Sequence, residues 1–372
     1  MSQRSWSSVK KKLNRIILVI ILFLLAGTSM VLARTRSLWA TAWDINTPQK
    51  IVNVVKTAAE HDFDVIFAEV RYRGDALYKP NKYIRTFPNP EPISYFVTLE
   101  DFDPLSFLIQ TAKNFNIKVY AWMTTFVITP KYTYKLPEDH AYFKHPDWIC
   151  KTHNGEQMDC NGGEGIFFDP GIPEVQRYTQ DIILDVVANY DIDGVILDYI
   201  RYPGNDYTYN PLALKHFIND VSTNQYSNNY TDWKQQVVSE FIKETGAKIK
   251  FLKPYVDFAV TAFADLQEAK YNKYQDWKEW LGFQDLDYVH LMMYTKSDYS
   301  FKDLLDKYLS DVSGNKVALS IRAWDEQKRY TSQDIQSKIR IAQKYGFDNI
   351  SIFHFGGIIA NNYNLADTLT SK

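Results

Sequence analysis

The sequence predicts an α/β chain folded as a (β/α)8 TIM barrel, a single domain with long loops after strands 2 and 3. Three observations predict it. From residue 36 onward, short β-branched apolar runs alternate with amphipathic segments in the rhythm of βαβ units. Eight such units fit into about 335 residues, the size of one barrel with loop insertions. No glycine-rich nucleotide fingerprint follows the first strand, which sets aside the doubly wound open sheet.

The units follow in order. Leu38 to Trp43 reads as the first strand, and Thr47-Pro48 caps a helix reaching Glu60. Asp64 to Arg71 is the second strand, followed by a polar loop with Gly74-Asp75 and Phe87-Pro88-Asn89-Pro90. Asp103-Pro104 opens the next helix, and Ile117 to Thr125 is the third strand. The irregular stretch that runs on to Asp169 has the length of a functional loop. Pro173 starts an amphipathic helix leading to the fourth strand. The second half repeats the pattern, with strands at Asp257 to Ala264, Tyr288 to Thr295, Lys316 to Trp324 and Asn349 to Phe355. Helices are expected within Pro211 to Leu252, Tyr274 to Leu281, Phe301 to Leu309 and Ser332 to Tyr345, and after Gly356-Gly357.

The stretch Tyr190 to Pro203, Y-D-I-D-G-V-I-L-D-Y-I-R-Y-P, carries the densest chemistry. A turn signal at Asp193-Gly194 precedes a buried-strand run that ends on Asp198 among Tyr199, Arg201 and Tyr202. Barrel chemistry sits at the C-terminal ends of strands, which makes Asp198 the first catalytic candidate. Its bland alternative is an Asp capping the next turn.

Composition narrows the function class. Residues 1–33 hold five basic residues and no acids, so the remainder has 37 basic against 44 acidic residues. That acidic remainder lacks the basic stripe a nucleic-acid partner requires. The 26 Tyr, 22 Phe and 9 Trp suit ring platforms for sugars as well as core. Residues 1–33 also join a basic start, the apolar run Ile16 to Ala26 and small residues at Val31-Leu32-Ala33. This reads as a cleaved signal peptide, with an N-terminal membrane anchor as the alternative. The barrel then occupies 34–372, exported to the extracellular space, the periplasm or the envelope surface. Export makes Cys150 and Cys160 a disulfide candidate; free thiols, or a zinc site with His145 and His153, are the alternatives.

Alternation along strands decides which side chains meet. Asp198 shares a face with Ile196 and Ile200, Glu69 with Arg71, and His290 with Met292 and Tyr294. Two carboxyl groups flanking a bond are what glycosidic cleavage needs. Asp198 would serve as nucleophile or base and Glu69 as acid, although Arg71 would hold the Glu69 pKa down. Asp75, Asp169 and Asp298 are rival acids. Tyr294 and an Arg would bind substrate or steady charge, and Trp43, Trp122 or Trp324 would offer ring platforms. A structural ion pair is the alternative reading of Glu69–Arg71, and a buried, hydrogen-bonded histidine is the reading of His290. Gly356-Gly357 reads as a strand-to-helix turn in preference to a phosphate grip. No H-E-x-x-H or G-x-S-x-G occurs.

Three blocks, E-V-R-Y-R-G-D-A-L-Y (Glu69 to Tyr78), F-D-P-G-I-P-E-V (Phe168 to Val175) and the stretch around Asp198, together with Met292 and Tyr294, resemble the glycosyl-hydrolase-like 10 family of exported bacterial proteins. The resemblance covers roughly residues 35 to 360 and implies a barrel acting on glycans, cell-wall strands among them. It implies that Asp198, Arg201, Arg71 and Asp75 lie in or beside the site. A more distant likeness is to family 18 chitinases, whose fourth strand ends D-x-D-x-E; here those positions are Ile196, Asp198 and Ile200, so that family's acid is absent. The expectation is therefore an exported glycoside hydrolase acting on an envelope or extracellular polysaccharide. It would need no metal or organic cofactor and no nucleic-acid partner. A catalytically silent barrel that binds glycan or a cell-wall partner is the alternative.

Overall fold

A computed structural model of the chain describes residues 35–131, 133, 135–160, 163–223, 228–325, 330–361 and 363. The expected signal or anchor at residues 1–33 lies outside them. Eight parallel strands close into a barrel in sequence order: β1 (Arg36–Ala40), β2 (Val65–Arg71), β3 (Lys118–Thr124), β4 (Gly194–Asp198), β5 (Asp257–Phe263), β6 (Tyr288–Met293), β7 (Val317–Arg322) and β8 (Ile350–Phe353). Every expected strand is present within a few residues. No helix among the described residues is long and apolar enough to cross a membrane.

Helices begin where a side chain and a proline together satisfy the first turn. Thr47 accepts from Lys50 N ahead of Pro48–Glu60, Asp103 from Ser106 N ahead of Pro104–Lys113, and Asn210 from Leu212 N ahead of Pro211–Ser222. The long stretch expected as loop after β3 includes, among its described residues, two short turns of helix, Ala141–Lys144 and Pro146–Trp148.

Alternation sorts the strand side chains into two cores. Leu38, Ala40, Ile66, Ala68, Val119, Ala121, Val195 and Leu197 face outward onto the helices. Trp39, Val65, Phe67, Tyr120, Trp122, Ile196 and Ala259 fill the barrel interior. Gly194 opens β4 for a packing reason more than for a turn: a Cβ there would stand 2.6 Å from the Tyr120 ring. His290 lies in this interior, edge-on to Trp39 and Phe67. It is buried as expected, but its Nδ1 has no hydrogen-bond partner, and burial lowers its pKa to about 3. Gly357 sits where a Cβ would meet the Ala323 carbonyl at 2.1 Å, so the last helix packs tightly on the end of β7. The glycine pair, expected as a strand-to-helix turn, lies instead in the first turn of that helix, Phe355–Asn361.

Candidate active site

Asp198 ends β4 and points into the mouth of the barrel. Its Oδ1 accepts from Tyr199 N (2.8 Å) and Thr261 Oγ1 (2.6 Å), and its Oδ2 from Trp122 Nε1 (3.2 Å). Three donors from three strand ends fix the carboxylate's orientation. Tyr199 has φ 54°, a strained left-handed conformation for a tyrosine, and this ends the strand. The alternation expected to carry Ile200 onto the same face therefore stops: Ile200 is buried in the outer core while Ile196 stays inside.

Asp198 forms one wall of a cleft of about 540 Å³ that is also lined by Glu164, Arg201, Phe263, Asp265, Tyr294 and Trp324. The Tyr294 ring stands edge-on to Trp324 at 5.1 Å and beside Phe353 at 5.3 Å. Burial, with the Asp198 charge behind it, holds the Tyr294 hydroxyl protonated well beyond the usual range. Arg201 pairs with Glu164 Oε1 at 3.0 Å and lies over the rings of Tyr199 and Phe167.

Glu69 reaches the mouth from β2 and is only 6% exposed. Its Oε2 accepts from Ala42 N at 3.0 Å. Desolvation raises its pKa to about 7, with the charges of Asp198 and Asp44 adding to the rise; the Ala42 N–H and Arg73 oppose it. Two carboxyl groups thus meet at the mouth with different chemistry. One is bound by three fixed donors, and the other is buried with its pKa raised to about 7.

Arg71 lies elsewhere than expected. The β2–β3 register shifts between Glu69 and Arg71, so Glu69 pairs with Trp122 but Arg71 with Met123, on the outer face. There Arg71 is buried in a bidentate pair with Glu91 (2.5 Å) and donates to the carbonyls of Thr124 and Thr125. The ion pair is structural, and its partner is Glu91 rather than Glu69. Arg73, not singled out from sequence, takes the place at the mouth. Its backbone N donates to Thr124 Oγ1, its guanidinium donates to Glu164 O and lies over Tyr72 and Tyr199, and its charge acts on both Glu69 and Asp198. A second arginine two residues after Arg71 was the available signal. Glu164, in the G-G-E-G run, was also missed.

Four other residues leave the expected roles. Trp122 is a buried interior ring whose N–H holds Asp198, not an open platform. Asp75 is buried under the β2 loop, where desolvation raises its pKa well above the usual range, with Glu91 adding to the rise. Asp169 is fully buried with an oxygen bonded to Gly171 N, and desolvation lifts its pKa to about 7. Neither lines the cleft; nor does Glu69, whose link to Asp198 is the charge each exerts on the other. Asp298, the remaining rival acid, accepts from Ser337 and pairs with Lys338 at 3.3 Å, which hold its pKa low. Trp43, expected as a ring platform, is 46% exposed beside Tyr72 and Phe96.

The expected disulfide is absent: Cys150 and Cys160 are free thiols. Met158 N bonds Cys150 O across a hairpin, and the Cys150 thiol is buried within reach of the Asp169 charge. Cys160 lies two residues past that pair with its Sγ 4.0 Å from Thr129 Oγ1. The described residues hold no cluster of three or more His, Cys, Asp or Glu side chains suited to a metal ion.

Comparison with known proteins places this barrel. The glycosyl hydrolase YngK of Bacillus subtilis is 25% identical over 302 residues, 73% of this chain and 54% of that protein. The glycosyl hydrolase DigH of Escherichia coli K12 is 24% identical over 283 residues, 67% of this chain and 59% of that protein. The chain thus spans little more than half the length of these curated relatives. The glycoside hydrolase domain of PgaB (BpsB) from Bordetella bronchiseptica superposes with a TM-score of 0.64 at 14% identity, over 91% of this chain and 99% of that one. An α-L-fucosidase from Paenibacillus thiaminolyticus gives 0.64 at 14% identity, over 90% and 48%. These structures share the fold. The model of one family matches residues 34–337, most of the chain, including β1 to β7 and the carboxyl pair: the chain belongs to the glycosyl hydrolase-like 10 family.

Proposed function

We propose that this chain is an exported glycoside hydrolase that cleaves glycosidic bonds in a bacterial envelope or extracellular polysaccharide, peptidoglycan glycan strands among the substrates. The observation that carries the proposal is the carboxyl pair: Glu69, with a pKa near 7, facing the same mouth as the donor-bound Asp198. A group with a pKa near the working pH holds a proton on about half the molecules and returns it readily. Glu69 would give that proton to the leaving oxygen, while Asp198 acts on the opposite face of the sugar as nucleophile or as base for a water. Tyr294 and Arg73 would steady the charge that develops between them. The names of the YngK and DigH relatives support the same class of reaction. Export is supported by the basic, apolar and small-residue succession of residues 1–33.

The test is incubation with peptidoglycan glycan strands and a polysaccharide panel, with products read by mass spectrometry. New reducing ends from one glycan, absent with Asp198→Asn, are expected. Retention of a glycan without any product would instead make the barrel a binding protein.

A further inference from the structure

We infer that Trp43 is the platform for the sugar on the leaving-group side, so that the site requires sugar units on both sides of the bond it breaks. The inference deepens the hydrolase reading and rests on it for the roles of Glu69 and Asp198. An indole left 46% exposed is a large apolar surface facing water. Here it is also held still. Phe96 supports it at 4.2 Å, Tyr72 meets it edge-on at 5.6 Å, and Lys50 Nζ donates to its carbonyl at 2.8 Å. The turn that carries it, Ala42–Asp44, is closed by reciprocal bonds between Thr41 and Asp44. A fixed ring with an open face is a stacking surface whose ordering cost is already met.

Its place gives it a side. Trp43 follows Ala42, whose N–H binds Glu69 Oε2, so the platform begins one residue from the proton donor. Asp198, Tyr294 and Trp324 line the cleft on the β4 to β8 side of the same mouth. The sugar attacked at its anomeric carbon belongs over Asp198 in that cleft. The oxygen that takes the proton lies toward Glu69, and what it is attached to extends over Trp43. A small leaving group would leave the ring unused.

The test compares parent, Trp43→Ala and Trp43→Phe on peptide-free peptidoglycan glycan strands and on 4-nitrophenyl β-N-acetylglucosaminide. Trp43→Ala should lower the ratio of kcat/KM on strands to kcat/KM on the aryl glycoside about tenfold, the size a lost ring face is worth, and Trp43→Phe should restore most of it. An unchanged ratio overturns the platform. If the parent cleaves neither probe, the hydrolase reading fails for them, and calorimetric binding of the strands decides the platform alone. Binding about tenfold weaker in Trp43→Ala supports it. Equal binding, or none by the parent, overturns it.

Discussion

Replacing Glu69 with Gln should abolish hydrolysis and, at the same time, stabilise the protein in a pH-dependent way. Burial raises this carboxyl from 4.5 to about 7. The folded state therefore keeps a proton that the unfolded chain releases, and stability falls as pH rises through the window from 4.5 to 7. At about 1.4 kcal/mol per pH unit, the loss reaches about 3 kcal/mol above that window. The amide has no proton to lose, and its oxygen can still accept from Ala42 N. Relative to the parent, Glu69→Gln should gain about 2 kcal/mol between pH 5 and pH 8. Asp169, also raised to about 7, titrates in both proteins and cancels in the difference.

The assay is urea unfolding of both proteins at the two pH values, alongside turnover of the best glycan. Turnover should fall at least about a hundredfold in the variant, and the parent's rate should decline above pH 7 as Glu69 loses its proton. An equal stability gap at pH 5 and pH 8 would show that Glu69 carries no proton in this range. The general acid would then have to be sought elsewhere.

The other predictions concern what holds the pair in place. Asp198→Asn should remove hydrolysis while the protein still folds, at a cost of about 1–3 kcal/mol because the amide nitrogen cannot accept from Trp122 Nε1. Trp122→Phe, which deletes the donor to Asp198 Oδ2 together with part of a buried ring packed on Trp39 and Phe353, should lower kcat about tenfold with little change in KM, since one bond to a charged group is worth about 1.5–3 kcal/mol. Steady-state kinetics separate the two effects. Arg71→Met should cost about 3–5 kcal/mol by stranding the buried Glu91 charge. Denaturant unfolding reads that loss, and a change below about 1 kcal/mol would mean the pair is solvated.

The strands were legible because a strand buried on both faces reads as a short apolar run, as Val195-Ile196-Leu197 does, and because four of them, β2, β3, β4 and β7, end on a polar residue. Asp198 and Glu69 followed from the same rule, since the last inward position of a barrel strand faces the mouth. Arg71 did not follow. Strict alternation assumes no inserted residue, and the bulge at Val70 moves Arg71 to the outer face, where its partner Glu91 comes from a loop no strand rule describes. Trp122 was visible as a ring but not as buried, because a single strand does not tell how many neighbouring rings fill the interior. The cysteine spacing fits a hairpin, yet the two thiols point to different neighbours, a matter of side-chain direction that spacing does not carry.

The same geometry explains why the proposed acid is sought on β2 and not on β4. In a D-x-D-x-E strand the last carboxyl lies two residues beyond the central one and needs the strand to continue. Here Tyr199 turns to φ 54°, its N–H is spent on Asp198 Oδ1, and position 200 rotates into the outer core. A glutamate at 200 would be buried among apolar side chains, not aimed at the mouth. Ile200→Glu should therefore destabilise the protein by several kcal/mol, and the double variant Glu69→Gln/Ile200→Glu should recover no hydrolysis. Recovery in that double variant would mean that the strand can lengthen past Tyr199 and that Glu69 holds the acid's role by history rather than by geometry.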